Sequence, residues 1–253
     1  ELHVKSHEET MITVTELAKL TALSMEEVTE DVQSLEQQGI VKVFRMKKDT
    51  YVWHTIHEQH MRHRLTEALC GYHEKYPYRY GMKKAEIHMT YMKKVKLNVF
   101  DLYVEMLSEE GALKRHQEFL QLPEFEVRKD SVYEKVLKTV QKQFEKAQFD
   151  FQRFSEISFG NIKREEVEDI MLLLIDEDIV VKITEDIYTL KSIIEKAKEV
   201  IQNRLKENPL ITIAEVRDLL GTSRKSAKPI LEYMDSIKVT KKNGTESERV
   251  AYV

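Results

Sequence analysis

The residues with the most chemistry in this 253-residue chain stand near its end, in Ser-Arg-Lys-Ser-Ala-Lys-Pro (223–229) and Lys-Val-Thr-Lys-Lys-Asn-Gly (238–244). Arg224 and Lys225 precede Ala227, Ile230, Leu231 and Met234, whose spacing predicts a helix. Ser223 caps or precedes that helix, and Gly221 suits the turn before it. The regular helix is expected from near Ser226, which puts Pro229 in its first turn, where a missing N–H costs little. Arg224 and Lys225 then stand on the connection leading into an exposed helix amino end. Its free N–H groups and positive dipole favour an anion, with phosphate the obvious one. Lys241, Lys242 and Arg249 follow on a hairpin that turns at Asn243-Gly244, with Lys238 just before it. Glu246 and Glu248 dilute the positive charge.

The elements that must position these residues recur along the chain. ITVTELAKLTALSMEEVTEDVQSLE (12–36) aligns without a gap with ITIAEVRDLLGTSRKSAKPILEYMD (211–235). After the shared serine, Ser24 or Ser223, the early copy reads Met-Glu-Glu and the late copy Arg-Lys-Ser. A short strand-like run follows a periodic helix four times: GIVKV (39–43), GALKR (111–115), IVVKI (179–183) and IKVTK (237–241). Return strands are expected at TYVWH (50–54), IYTL (187–190) and RVAYV (249–253), with FLQL (119–122) the weakest. Shorter helices are expected upstream at 14–20, 83–89, 151–157 and 213–219, and long leading ones at 57–76 and 130–147. Helix, short helix, turn, helix and two-stranded wing is the winged-helix pattern. The fold class expected is mainly α with small β wings (α+β), as four tandem winged-helix domains at 1–57, 58–129, 130–190 and 191–253. Units this small bury little surface alone, so neighbours should pack in pairs.

Composition narrows the function. Apolar residues make up 42% of the chain, enough for real cores. Its lone cysteine, Cys70, excludes an internal disulfide and points to a reducing compartment, the cytoplasm. No apolar run suits a membrane span or leader, and the opening Glu-Leu-His-Val lacks an initiator methionine, as in a fragment of something longer. Residues 191–253 hold 13 Lys/Arg against 9 Asp/Glu, whereas 1–57 hold 6 against 10 and 131–190 hold 8 against 13. A polyanion partner is therefore sought in the last quarter. No phosphate-binding glycine loop, serine-hydrolase elbow or zinc His-Glu-x-x-His motif occurs, so neither catalysis nor a metal or cofactor is expected of this chain. His54, His57, His60 and His63 recur every third residue, a spacing that rotates them around a helix, and read as solvated or packing histidines. Tyr76, Tyr78, Tyr80 and Tyr91 interleave with lysines and arginines, a mixture that can stack on and neutralise a nucleic acid or simply pack.

SRKSAKPILEYMD followed by VTKKNGTESER resembles the carboxy-terminal part of the bacterial selenocysteine-specific elongation factor, and YHEKYPYRYGMKKAEI (72–87) is similar to that family's second winged helix. The resemblance implies four tandem winged helices whose last member grips the selenocysteine insertion hairpin (SECIS) of messenger RNA. It implies a monomer, without membrane attachment, that meets the ribosome and selenocysteinyl-tRNA through the full-length protein. GTP and Mg would belong to an amino-terminal GTPase part absent from this chain. By position, Ser223, Arg224 and Lys225 match the helix entrance that meets RNA, and Thr240, Lys241, Lys242 and Arg249 match the wing. Asn243 and Lys238 join this set. Ser226 and Lys228 depart from the family pattern. Lys228 stands as an extra phosphate contact or as a merely exposed side chain, and ranks behind Arg224 and Lys225. A hinge is expected around LPEFEVRKD (122–130). Two other classes are a DNA-binding regulator with tandem winged helices and a protein-interaction scaffold using the acidic faces.

Overall fold

Thr13 and Ser24 show why the first helices begin where they do. Each hydroxyl accepts a hydrogen bond from the N–H three residues on (Glu16, 3.1 Å; Glu27, 3.2 Å). Each glutamate in turn accepts from the N–H of the capping residue at 2.9 Å, closing a capping box. In the computed structural model, which describes residues 1–7 and 10–252, the chain divides between Val127 and Arg128 into two units. The division falls inside the expected hinge segment.

The first unit opens with α1 (Leu2–Lys5), β1 (Ile12–Thr13), α2 (Val14–Thr21), α3 (Met25–Gln37), β2 (Val41–Arg45) and β3 (Thr50–His54). These strands form an antiparallel sheet in the order β1-β3-β2. Val14, Leu17, Val28, Val32, Val41 and Val52 close a small core beneath it. α4 (Thr55–Lys75), β4 (Met82–Lys83), α5 (Lys84–Tyr91), α6 (Leu97–Glu109), β5 (Lys114–His116) and β6 (Phe119–Gln121) repeat the order, with the sheet β4-β6-β5. Phe44 and Trp53 of the first hairpin meet Tyr103 of α6 edge-on, with ring centroids 6.1 and 5.4 Å apart. The two groups thus share a core, as paired small units must.

The second unit contains α7 (Ser131–Ala147), a single 3-10 turn at Phe154–Glu156, α8 (Arg164–Asp176), β7 (Val180–Thr184) and β8 (Ile187–Leu190). It continues with α9 (Lys191–Glu207), β9 (Leu210–Thr212), α10 (Ile213–Leu220), α11 (Arg224–Ser236), β10 (Thr240–Asn243) and β11 (Thr245–Ala251). β7 and β8 form a two-stranded sheet, and the last sheet has the order β9-β11-β10. Val181 and the partly buried Phe149 and Phe151 join the core of the last group. Two expectations are corrected. The helix expected at 151–157 is only the 3-10 turn, because Phe154 and Ser155 donate their N–H groups to Asp186 of the hairpin turn (both 2.8 Å) instead of to a helix ladder. The last hairpin is longer than expected: its strands run through 240–243 and 245–251, leaving Gly244 (φ +71°) alone at the tip.

One turn recurs four times and steers the chain from helix to wing. Gly39, Gly111, Asp178 and Lys238 lie two residues past the ends of α3, α6, α8 and α11, with φ of 71°, 72°, 58° and 57°. In each case the next N–H donates back to the helix, to the carbonyls of Leu35, Leu107, Leu174 and Met234 at 2.8–2.9 Å. Asp178 and Lys238 hold the left-handed conformation without the freedom of glycine.

Candidate nucleic-acid interface

Ser223 is the N-cap of α11 and accepts from the N–H of Ser226 at 3.3 Å. The helix therefore starts at Arg224, not near Ser226, and Pro229 lies inside it, unable to donate to the carbonyl of Lys225. The helix start survives because a segment from earlier in the unit braces it. Thr222 Oγ1 donates to the carbonyl of Phe149 at 2.6 Å, and the N–H of Phe151 donates to Ser226 Oγ at 3.0 Å. Ser223 Oγ also donates to Asp150 Oδ1 at 3.0 Å, with Ser226 Oγ 3.4 Å from the same oxygen. Asp150 had no signal in the local sequence. Its carboxylate stands at the helix start, so the amino end is not the open anion seat expected there, and the positive charge of this end comes from side chains.

Those side chains are exposed: Arg224 and Lys225 occupy the first two helical positions. α3 and α8 carry Glu26, Glu27 and Glu165, Glu166 in the same turn. A cation at the positive end of a helix is locally unfavourable, by about 0.3–1 kcal/mol where it is exposed. One turn further on the same face comes Lys228, 3.7 Å from Glu232. On the wing, Lys242 Nζ lies 2.6 Å from Glu246. The hydrogen bond from Lys242 holds the Glu246 carboxyl below its ordinary value, and the charges of Lys242, then Lys228 and Arg249, lower it further. Glu246 thus pairs with the wing through Lys242 and lies within electrostatic reach of Lys228 on the helix. Asn243 is exposed beside the tip glycine.

Four expected contact residues lie elsewhere. Thr240 and Arg249 are fully buried. Thr240 Oγ1 donates to Asp235 Oδ1 at 2.6 Å, and Arg249 Nε donates to Asp235 Oδ2 at 2.7 Å. Arg249 Nη1 also donates to the carbonyls of Glu246 (2.8 Å) and Glu248 (3.0 Å). These two residues brace the wing against the end of α11, with Asp235 as the shared acceptor, and they offer nothing to an RNA. Lys241, next to Lys242 on one strand, points to the other face and lies 6.0 Å from the Tyr252 ring. Lys238 is exposed at the far end of α11, roughly 20 Å of helix from Arg224.

The aromatic and histidine clusters are held within the first unit. Tyr78 is buried, Tyr76 lies under the guanidinium of Arg79 at 4.0 Å, and Tyr80 stacks on His116 at 3.7 Å. His54 caps α4, while His57 Nε2 lies 2.7 Å from the carbonyl oxygen of Lys5. Among the described residues no three His, Cys, Asp or Glu side chains converge as a metal site. No helix among them is long and apolar enough to cross a membrane.

Residues 66–122 and 203–247 each match a family model described as "Elongation factor SelB, winged helix". The selenocysteine-specific elongation factor of Desulfomicrobium baculatum is 24% identical over 185 residues. That match spans 72% of this chain and 29% of the length of the relative. The mRNA-binding domain of elongation factor SelB from E. coli, solved in complex with SECIS RNA, aligns with a TM-score of 0.42 and 19% identity, over 49% of this chain and all of that one. A bacterial selenocysteine-specific elongation factor, EF-Sec, aligns with a TM-score of 0.45 and 17% identity, over 83% of this chain and 32% of that one. The matched segments within α4–β6 and α9–β11 are winged helices of the SelB kind, and the chain resembles the winged-helix region of the selenocysteine-specific elongation factor.

Proposed function

We propose that this chain is the messenger-reading arm of a selenocysteine-specific elongation factor, and that its last winged helix binds the selenocysteine insertion hairpin. In this reading the chain consists of four winged helices, with boundaries near residues 57, 129 and 190. It is a monomer in the cytoplasm, has no catalytic residues or cofactor of its own, and meets the ribosome and selenocysteinyl-tRNA through the rest of a longer protein that carries the GTPase. The observation that carries it is the reversed charge at one helix start. Arg224 and Lys225 occupy a turn where their charge opposes the helix dipole, and Lys228 and Lys242 continue the cationic face onto the wing. Such a local conflict is expected where an anionic ligand resolves it.

RNA suits this surface better than a duplex major groove does. The deep, narrow major groove of A-form RNA does not admit a helix, whereas a compact cluster of side chains can clasp a loop and its phosphates. The test is a competition between a selenocysteine insertion hairpin and a DNA duplex of equal length for the whole chain. Hairpin-selective binding is expected, weakened by about 1–3 kcal/mol in Arg224→Ala and in Lys225→Ala. Equal binding to DNA would favour a tandem winged-helix regulator instead.

A further inference from the structure

A second cationic surface lies in the first unit, far in sequence from the SECIS-reading face. Lys47 and Lys48 sit on the turn between β2 and β3, Lys19 sits on α2, and Lys96 is the N-cap of α6. All four line one open groove of about 690 Å³, together with Tyr51. Lys96 Nζ donates to the Tyr51 hydroxyl at 2.9 Å, which fixes one cation over the groove. That bond holds the Lys96 ammonium above its ordinary value, and the charges of Glu16 and Asp49 add to the effect.

The two acids that share the groove are already engaged. Glu16 Oε2 accepts from the N–H and hydroxyl of Thr13 in the capping box, and Asp49 Oδ1 accepts from the N–H of Thr50. Among the described residues, none of the four lysines forms an ion pair. Elsewhere in the unit, Lys42, Lys83 and Lys84 each pair with a carboxylate at 2.8–3.0 Å. Four lysines against two carboxylates leave the groove at about +2, inside a stretch of sequence whose overall balance is negative. A wing turn from one winged helix and a helix start from the next thus supply the same kinds of element that form the face in the last one.

We propose that this groove is a second RNA contact, one that grips phosphates without reading sequence. The choice of RNA over another polyanion rests on the function proposed above; the groove itself does not. Lysine ammonium groups on flexible stems act as point charges that accept phosphates in many orientations, which suits structured RNA of any sequence.

The test uses the full chain in an Arg224→Ala/Lys225→Ala/Lys228→Ala/Lys242→Ala background, which removes the cationic face proposed for the last winged helix. An unrelated RNA duplex is titrated at several salt concentrations, with polyglutamate as a protein-like polyanion. Adding Lys19→Gln, Lys47→Gln and Lys48→Gln should weaken duplex binding roughly tenfold or more near 0.1 M salt and reduce the salt slope by about two to three. Circular dichroism confirms that these exposed positions leave the fold intact. Unchanged affinity and slope would overturn the proposal, as would polyglutamate binding that matches RNA and falls equally in the variant. If Arg224→Ala/Lys225→Ala alone leaves hairpin selectivity untouched while the groove variant loses duplex binding, the messenger-reading proposal fails and the groove stands.

Discussion

Arg224 and Arg249 are both arginines of the last winged helix, and burial separates what they do. Arg224 is exposed at a helix start, whereas Arg249 is enclosed and bound to Asp235 and two wing carbonyls. Arg224→Ala should lower hairpin affinity and leave thermal stability within about 0.5 kcal/mol of the parent. Asp235→Ala should leave Arg249 buried without its counter-charge and destabilise the second unit by about 3–5 kcal/mol in a denaturant titration. The positive charge at 224–225 was legible from the aligned repeat, because two copies of one pattern differ at one place. The burial of Thr240 and Arg249 was not. Their acceptor, Asp235, sits at the end of the preceding helix, and only the closed hairpin brings it within 2.7 Å of both. Counting cations cannot distinguish a contact from a brace.

Helix limits are legible in the sequence where the forces that set them are local. α2, α7 and α10 follow strong apolar periodicity, and these three and the long α4 lie within a few residues of expectation. The start of α11 is not legible locally, because the 149–151 segment that braces it against the cost of Pro229 is distant in the chain. The capping boxes make the first helices acid-sensitive. Hydrogen bonds from the Ser24 N–H and then its hydroxyl hold Glu27 below its ordinary value of 4.5, and Thr13 does the same for Glu16. A depressed carboxyl contributes stability that is present above its unfolded value and is lost as pH falls through the folded one. Fraying of α2 and α3, followed by amide exchange, should therefore begin below about pH 4.5 and be abolished as a pH effect in Glu16→Gln/Glu27→Gln. At the other end, Lys238 holds a left-handed turn that Gly39 and Gly111 hold freely. Lys238→Gly should stabilise the chain by about 0.5–1 kcal/mol, after the entropy lost by glycine is set against the relieved strain. It should leave hairpin binding unchanged, since the residue lies at the wrong end of α11.

On the scale of the molecule, repetition with variation organises the chain. The sequence showed the fourfold recurrence of helix and hairpin, but not that segment 149–151 reaches the start of α11. That connection predicts that residues 191–253 alone bind the hairpin more weakly than residues 128–253, since Asp150 and its neighbours no longer order the helix start. Equal affinity of the two fragments would show that the brace is dispensable. Exposed cations from one helix face and one wing should meet the RNA phosphates together. The direct measurement is the salt dependence of hairpin affinity for the whole chain and for Arg224→Gln/Lys228→Gln/Lys242→Gln. The slope of log affinity against log salt should fall by about two to three in the triple variant, one increment for each lost phosphate contact. A slope that does not change would contradict the account, because these three side chains would then stand clear of the RNA.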